Sequence, residues 1–156
     1  MRSLLLASFV SLVLMPGTGP VWGQGPYDEL SEAAQSKLES AVPEQARVAV
    51  EEPRKLLIYD GNVGYPGHRS IAYANYAFTE MGQRTGTFTT VVSHDPAVFE
   101  AERLQQFDAV CFNNTVGNLF TDPTLRQNLM DFVLGGGGLL GIHGTTVAFT
   151  DFDEGA

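Results

Sequence analysis

Gly135-Gly136-Gly137-Gly138-Leu139-Leu140-Gly141-Ile142-His143-Gly144 carries the strongest fold signal in the chain. Four glycines end whatever helix precedes them. Gly138 to Ile142 is then a short apolar run of strand length, with no alternation of polar and apolar residues. A run of that kind suits a strand buried on both faces, as in a parallel sheet. Glycine on both sides of His143 allows a sharp turn from strand into helix, of the kind that presents a side chain at the top of an α/β sheet.

The chain before this stretch repeats the same alternation. Lys55 to Asp60 is an apolar strand, and the spacing of Ile71, Ala74, Phe78 and Met81 predicts a helix from Ser70 to Met81, stopped by Gly82. Thr87 to Ser93, rich in β-branched residues, is a second strand. Asp95-Pro96 is an N-cap followed by proline at the first helical position, opening a helix towards Gln106. Ala109 to Asn113 is the third strand. Asp122-Pro123 opens the next helix, whose buried stripe is Leu125, Leu129, Phe132 and Val133. Strands alternating with helices imply an α/β fold, an open doubly wound parallel sheet with helices on both faces. The chain ends thirteen residues after His143, so the domain is expected to be incomplete at its C-terminus, the N-terminal portion of a longer protein.

Residues 1–23 read as a signal peptide: Arg2, an apolar run from Leu4 to Leu14, helix breakers from Pro16 to Pro20, and small residues at Val21 and Gly23 before the cleavage point. The run is too short for a membrane span, so secretion or export to a periplasm is expected, with no membrane association after cleavage. Residues 24–53 form a leader, with a helix from Tyr27 to Ala41 carrying Leu30, Ala34, Leu38 and Ala41 on one face, then a linker to Pro53. Residues 54–156 are the α/β portion.

Charge removes one class of partner. The chain has nine Lys and Arg against 18 Asp and Glu, and loss of Arg2 with the signal peptide brings the balance to about −10. Nucleic-acid binding needs a basic stripe to replace counterions, and none is present. The single Cys111 cannot form an internal disulfide and lies in an apolar run, where it reads as packing.

Ligands of open parallel sheets bind outside the carboxyl ends of the strands, near the point where strand order reverses. Strand one is followed by Asp60, Asn62, His68 and Arg69, and strand two by His94 and Asp95. Strand three leads into Asn113, Asn114 and Thr115, and strand four into His143, Thr145 and Thr146. All three histidines of the chain therefore fall on one rim. In a 2-1-3-4 order, strands one and three flank the crevice, and strand four lies roughly 10 Å from strand one. The loop containing Gly61, Gly64 and Gly67 could carry His68 and Arg69 across that gap. His94 lies on the outer edge and is the weakest candidate, a surface turn residue being its plainer reading. His143, near the positive end of the helix expected after it, suits a neutral base, a hydrogen-bond partner or a metal ligand; the plainer reading is a histidine bonded within its own turn. A divalent metal held by histidines with Asp60 and Asp95 has no diagnostic spacing. Gly135 to Gly138 lacks the Lys-Ser/Thr ending of a phosphate loop, and Gly61, Gly64 and Gly67 do not make a dinucleotide fingerprint.

Taken together, Gly67-His68-Arg69-Ser70-Ile71, Glu80-Met81-Gly82, Phe107-Asp108-Ala109-Val110, Asn113-Asn114-Thr115-Val116-Gly117 and Gly136 to Gly144 resemble the trehalose-utilisation (ThuA-like) family over about residues 54–150. The resemblance implies a flavodoxin-like fold of the class I glutamine amidotransferase-like superfamily. In that superfamily the elbow usually holds a nucleophilic cysteine; the ThuA-like pattern has histidine there, here His143, so cysteine-dependent glutaminase chemistry is not implied. Two departures stand out: Val147 occupies a position where the family usually has Asp, and the family's later section with further histidines is absent. The resemblance implies an exported protein of carbohydrate metabolism that binds or processes trehalose or a related disaccharide. His143 is then the catalytic candidate, and His68, Arg69, Asn113, Asn114 and Thr145 the substrate-binding ones, with no resident cofactor. A non-catalytic binding module of a multidomain exported protein is the alternative.

Overall fold

The computed structural model describes residues 30–152; the expected signal peptide lies outside them. Four strands, β1 (Arg54–Tyr59), β2 (Phe88–Ser93), β3 (Ala109–Asn113) and β4 (Gly138–Ile142), form one sheet in the order β2-β1-β3-β4. Every pairing is parallel. The expected strands are all present, with ends moved by at most one residue.

Helix α1 (Glu32–Ala41) belongs to the leader. It begins later than its apolar spacing suggests because the Ser31 hydroxyl accepts from the Ala34 N–H and caps it there. No residue of α1 is fully buried, and polar contacts at its C-terminal end add to its docking on helix α2 (Ser70–Thr85). The Tyr76 hydroxyl donates to Glu39 at 2.6 Å, and Arg84 donates to the Glu39 carbonyl at 2.8 Å. The hydrogen bond to Glu39 pushes the Tyr76 phenol up to about 12.

Two expectations about α2 are corrected. The helix runs through Gly82 and stops at Gly86, which takes the left-handed conformation at φ 64° and donates to the Gly82 carbonyl. Gly82 serves close packing instead: a Cβ there would run into the Phe88 carbonyl at the start of β2. The buried face is also rotated from the expected stripe, to Ile71, Ala72, Asn75 and Gly82. The asparagine belongs there because its amide is bonded at both ends, donating to Asp60 and accepting from Asn113.

The helix expected from Asp95 to Gln106 is two short pieces. Asp95 caps as expected, accepting from the Ala97 N–H at 2.9 Å, but Pro96–Phe99 is a 3-10 turn, and Glu100 at ψ 137° breaks it from α3 (Ala101–Leu104). The break lets Val98, Phe99 and Leu104 all bury against the sheet. Helix α4 (Pro123–Leu134) starts at Asp122 as its sequence requires, the carboxylate accepting from the Thr124 N–H at 2.8 Å.

The two faces of the sheet carry separate cores. Leu57 and Tyr59 of β1 and Val110 and Phe112 of β3 pack with Val98, Phe99, Leu104, Leu119 and Phe120, flanked by Leu125, Leu129 and Phe132 of α4. Leu56, Ile58 and Cys111 face the other way, towards Phe78 of α2. The odd-even split along β1 is the pleat of a strand buried on both sides. β4 departs from this expectation: Leu139 and Leu140 are 53% and 43% exposed, since nothing among the described residues covers that edge. No helix of the described residues is long and apolar enough to cross a membrane.

Asp108 ties the lower end of the sheet together. Its carboxylate accepts from the Lys55 N–H at 2.7 Å and from Arg54 at 3.1 Å, and these two bonds, the first foremost, hold it below its ordinary value. A carboxyl depressed in the folded state stabilises above its unfolded value, near 3.9, and stops doing so as pH falls through the folded value. Asp108→Asn is therefore expected to flatten the acid limb of stability. Urea midpoints measured from pH 6 to pH 2 check this, and equal slopes in both proteins would refute it.

Candidate functional site

The site forms where β1 and β3 lie side by side while their connections leave in opposite directions, the crevice that open α/β sheets use. The loop after β1 reaches across it. The Val63 N–H donates to the Val116 carbonyl at 3.0 Å, pinning this loop to the one after β3. Gly117 makes the clasp possible: its φ is +86°, and a Cβ there would collide with the Val63 carbonyl. Gly117 also donates to Val147 and accepts from Phe149, so three segments meet on it.

The clasp brings His68 to His143. Their rings stack at 5.0 Å between centroids and 28° between planes. Tyr65 packs edge-on against His68 at 5.3 Å, its hydroxyl 3.3 Å from Nε2 and 3.4 Å from Nδ1. His143 is exposed and sits at φ +50°, a left-handed conformation that costs a residue with a Cβ about 1–2 kcal/mol. The element after it is a 3-10 turn, His143–Val147, so the helix end expected beside the imidazole is absent among the described residues.

The remaining candidates divide by what their side chains already do. Arg69 is exposed at the N-cap of α2 and makes no ion pair among the described residues, so its guanidinium is available to a ligand. Thr145 is spent on the fold: its hydroxyl is 2.9 Å from the Phe112 carbonyl and 3.1 Å from that of Ile142, stitching the turn to β3 and β4. Asn113 is fully buried, and its amide donates to the Ile71 carbonyl at 3.0 Å and to Asn75 Oδ1 at 2.9 Å. Asn114, also buried and at φ +55°, donates from its backbone N–H to the Ile142 carbonyl. His94, expected at the margin, stands with Nδ1 3.9 Å from Asp60 Oδ1.

Two contributors escaped the sequence reading: Tyr65, and Asn75, whose amide donates to Asp60 Oδ2 at 2.7 Å. Tyr65 carries no periodic signal in a loop. Asn75 had one, a polar residue four positions after Ile71 on the helix face that packs on the sheet. Among the described residues no group of three or more His, Cys, Asp or Glu gathers where it could hold a metal ion.

Cys111 is buried on β3, and burial pushes its thiol up to about 11. Thiolate is the reactive form, so the folded chain is expected to leave Ellman's reagent almost unreacted over an hour, with full reaction only in denaturant. Rapid native reaction would contradict the packing described.

The model of the ThuA family, described as trehalose utilisation, matches residues 55–154. This chain belongs to the ThuA family. A crystal structure described as a ThuA-like protein, from Bacteroides uniformis ATCC 8492, is similar with a TM-score of 0.51 at 22% identity, over 64% of this chain and 40% of that one. The likeness supports the flavodoxin-like, glutamine amidotransferase-like fold. The chain thus spans well under half the length of the ThuA-like structure it matches. No curated protein matches it. His143 stands at the elbow of this ThuA chain, and Cys111 is buried in the body of the sheet.

Proposed function

We propose that this ThuA-family protein is exported and binds or processes a carbohydrate, trehalose or a related disaccharide, at the rim around His143. The observation that carries the reading is the stack of half-buried His68 on exposed His143, edged by Tyr65, at the crevice of a ThuA-family sheet. Flat rings offer apolar faces to the C–H faces of a sugar, while imidazole, phenol and guanidinium supply the hydrogen-bonding groups that its hydroxyls need. His143 serves as base or polariser, and His68, Tyr65 and Arg69 line the approach. Asn113 and Thr145 support the rim from beneath.

A second reading, binding without turnover, is favoured by Val147. It is 48% exposed beside the elbow, where the family pattern leads one to expect a carboxylate. Calorimetric titration of the full chain with trehalose, with mass spectrometry of the mixture, separates the two. Binding is expected, weakened about threefold to tenfold by His68→Ala through loss of one ring contact. Product formation selects the enzyme, and binding alone the module. Neither binding nor product would overturn both.

A further inference from the structure

Asp60 is a buried carboxylate at the C-terminal end of β1 with no part in the ring stack. Its backbone N–H donates to the Ser93 carbonyl at 3.0 Å, which extends the ladder of β1 on β2 by one step and sets Asp60 level with His94. Its two carboxylate oxygens have different neighbours. Oδ2 accepts from Asn75 Nδ2 of α2 at 2.7 Å, and Oδ1 lies 3.9 Å from His94 Nδ1. The carboxylate side chain is 5% exposed and the imidazole 41%. The pair therefore has one buried end and one open end.

Which way round each group is turned follows from what its partner can do. A backbone carbonyl only accepts, so the Ile71 carbonyl, 3.0 Å from Asn113 Nδ2, fixes the NH2 of Asn113 towards α2. The same NH2 lies 2.9 Å from Asn75 Oδ1, so Asn75 presents its oxygen to Asn113 and its NH2 to Asp60. A carboxylate also only accepts, and the His94 nitrogen that faces Asp60 is accordingly the one that carries a proton. The separation of 3.9 Å exceeds a hydrogen bond, yet a carboxylate shielded from solvent acts across it, because attraction between charges falls only as the inverse of distance. In a neutral imidazole with Nδ1 protonated, Nε2 is the acceptor. Free histidine favours the opposite form, with the proton on Nε2.

We propose that Asp60 is a positioning residue that holds neutral His94 in the Nδ1–H form, so that Nε2 stands at the β2 end of the rim as a hydrogen-bond acceptor for a ligand hydroxyl. This gives the rim a second imidazole acceptor, separate from His143 at the β4 end. The choice of a sugar as the hydroxyl donor rests on the carbohydrate reading above, and the form of the imidazole does not.

The two parts are tested separately on the isotope-labelled full chain. Long-range proton–nitrogen spectra at about pH 8.5, well above the histidine reference value near 6.5, report which nitrogen of His94 carries the proton. Nδ1–H is expected in the wild type, and Nε2–H there overturns the positioning role. Asp60→Asn is expected to reverse the result: its oxygen has to face the Asn75 NH2, whose direction Asn113 fixes, so its own NH2 turns to His94 Nδ1 and the proton moves to Nε2. A folded Asp60→Asn chain that keeps Nδ1–H overturns the role, and the wild-type spectrum decides if the variant does not fold. For the ligand, titration with trehalose is expected to move the His94 Nε2 resonance, and His94→Ala to weaken binding about threefold to tenfold, as loss of one neutral hydrogen bond does. Trehalose that binds while Nε2 stays unmoved, or with an unchanged Kd in His94→Ala, overturns the ligand part. A wild type that binds no trehalose overturns the carbohydrate reading and the ligand part with it, and the spectra of His94 then stand on their own.

Discussion

On the enzyme reading proposed above, His143→Gly is expected to lose turnover without weakening the protein, and to be more stable than His143→Ala by about 1 kcal/mol. The imidazole is exposed and stacks on His68, so its loss forfeits a ring contact of about 0.5 kcal/mol at such a site. Its backbone at φ +50° carries a strain of about 1–2 kcal/mol that alanine keeps and glycine relieves. Glycine returns part of that gain, about 0.5–1 kcal/mol, through the larger entropy of its unfolded chain. The glycine variant should thus unfold close to the wild type and roughly 2–4 °C above the alanine variant. Both variants should lose trehalose turnover by about 10²–10⁴-fold if His143 is the base. Thermal unfolding and product assays on the three proteins check this together. An alanine variant as stable as the glycine one would mean that the elbow stores no strain. Undiminished turnover in either variant would remove His143 from the chemistry.

Gly117→Ala is expected to cause the larger loss of stability. A Cβ at this position pays the left-handed cost of about 1–2 kcal/mol and also displaces the Val63 carbonyl, an overpacking cost of about 1–3 kcal/mol. A total near 3 kcal/mol lowers the unfolding temperature by roughly 6–12 °C in a chain of this size. Gly64→Ala is the control: it has a similar backbone angle, φ +72°, but nothing lies within 4 Å of the added carbon. It should fall by only about 2–4 °C. The functional consequence separates them further. Gly117→Ala pushes away the loop that carries Tyr65 and His68, so contacts between the His68 and His143 rings should vanish from its NMR spectra and persist in Gly64→Ala. Equal losses in the two variants would show that backbone strain alone is at work and that the clasp has no part.

The alternation of strands and helices and the rim bearing the histidines were legible because they depend on local patterns: short apolar runs, Asp-Pro helix starts and glycine stops. The same local reading misplaced the end of α2. Gly82 looks like a stop signal, yet it is a contact surface for Phe88. It also joined two short turns into one helix between Asp95 and Gln106, because the break at Glu100 answers to the sheet beneath and leaves no mark in residue spacing. At the site, His143 and His68 could be named from the sequence. Asn113 and Thr145 could be named too, although their polar atoms turn out to be occupied with Ile71, Asn75 and the strand carbonyls. A polar residue after a strand signals a rim position; whether its side chain points up to a ligand or down into the fold depends on partners far away in the chain.

Local patterns were enough for the α/β class, the parallel character of the sheet, the elbow at His143 and the family, because each rests on residues adjacent in the chain or at a fixed helical or strand period. Pairings distant in sequence account for the order β2-β1-β3-β4, the clasp of Val63 on Val116 and Gly117, the stack of His68 on His143, and the bonds of Asn75 to Asp60 and Asn113. Those are pairings between segments tens of residues apart. Their geometry is set by which carbonyl lacks a donor and which glycine leaves room, and neither quantity exists until the sheet has closed.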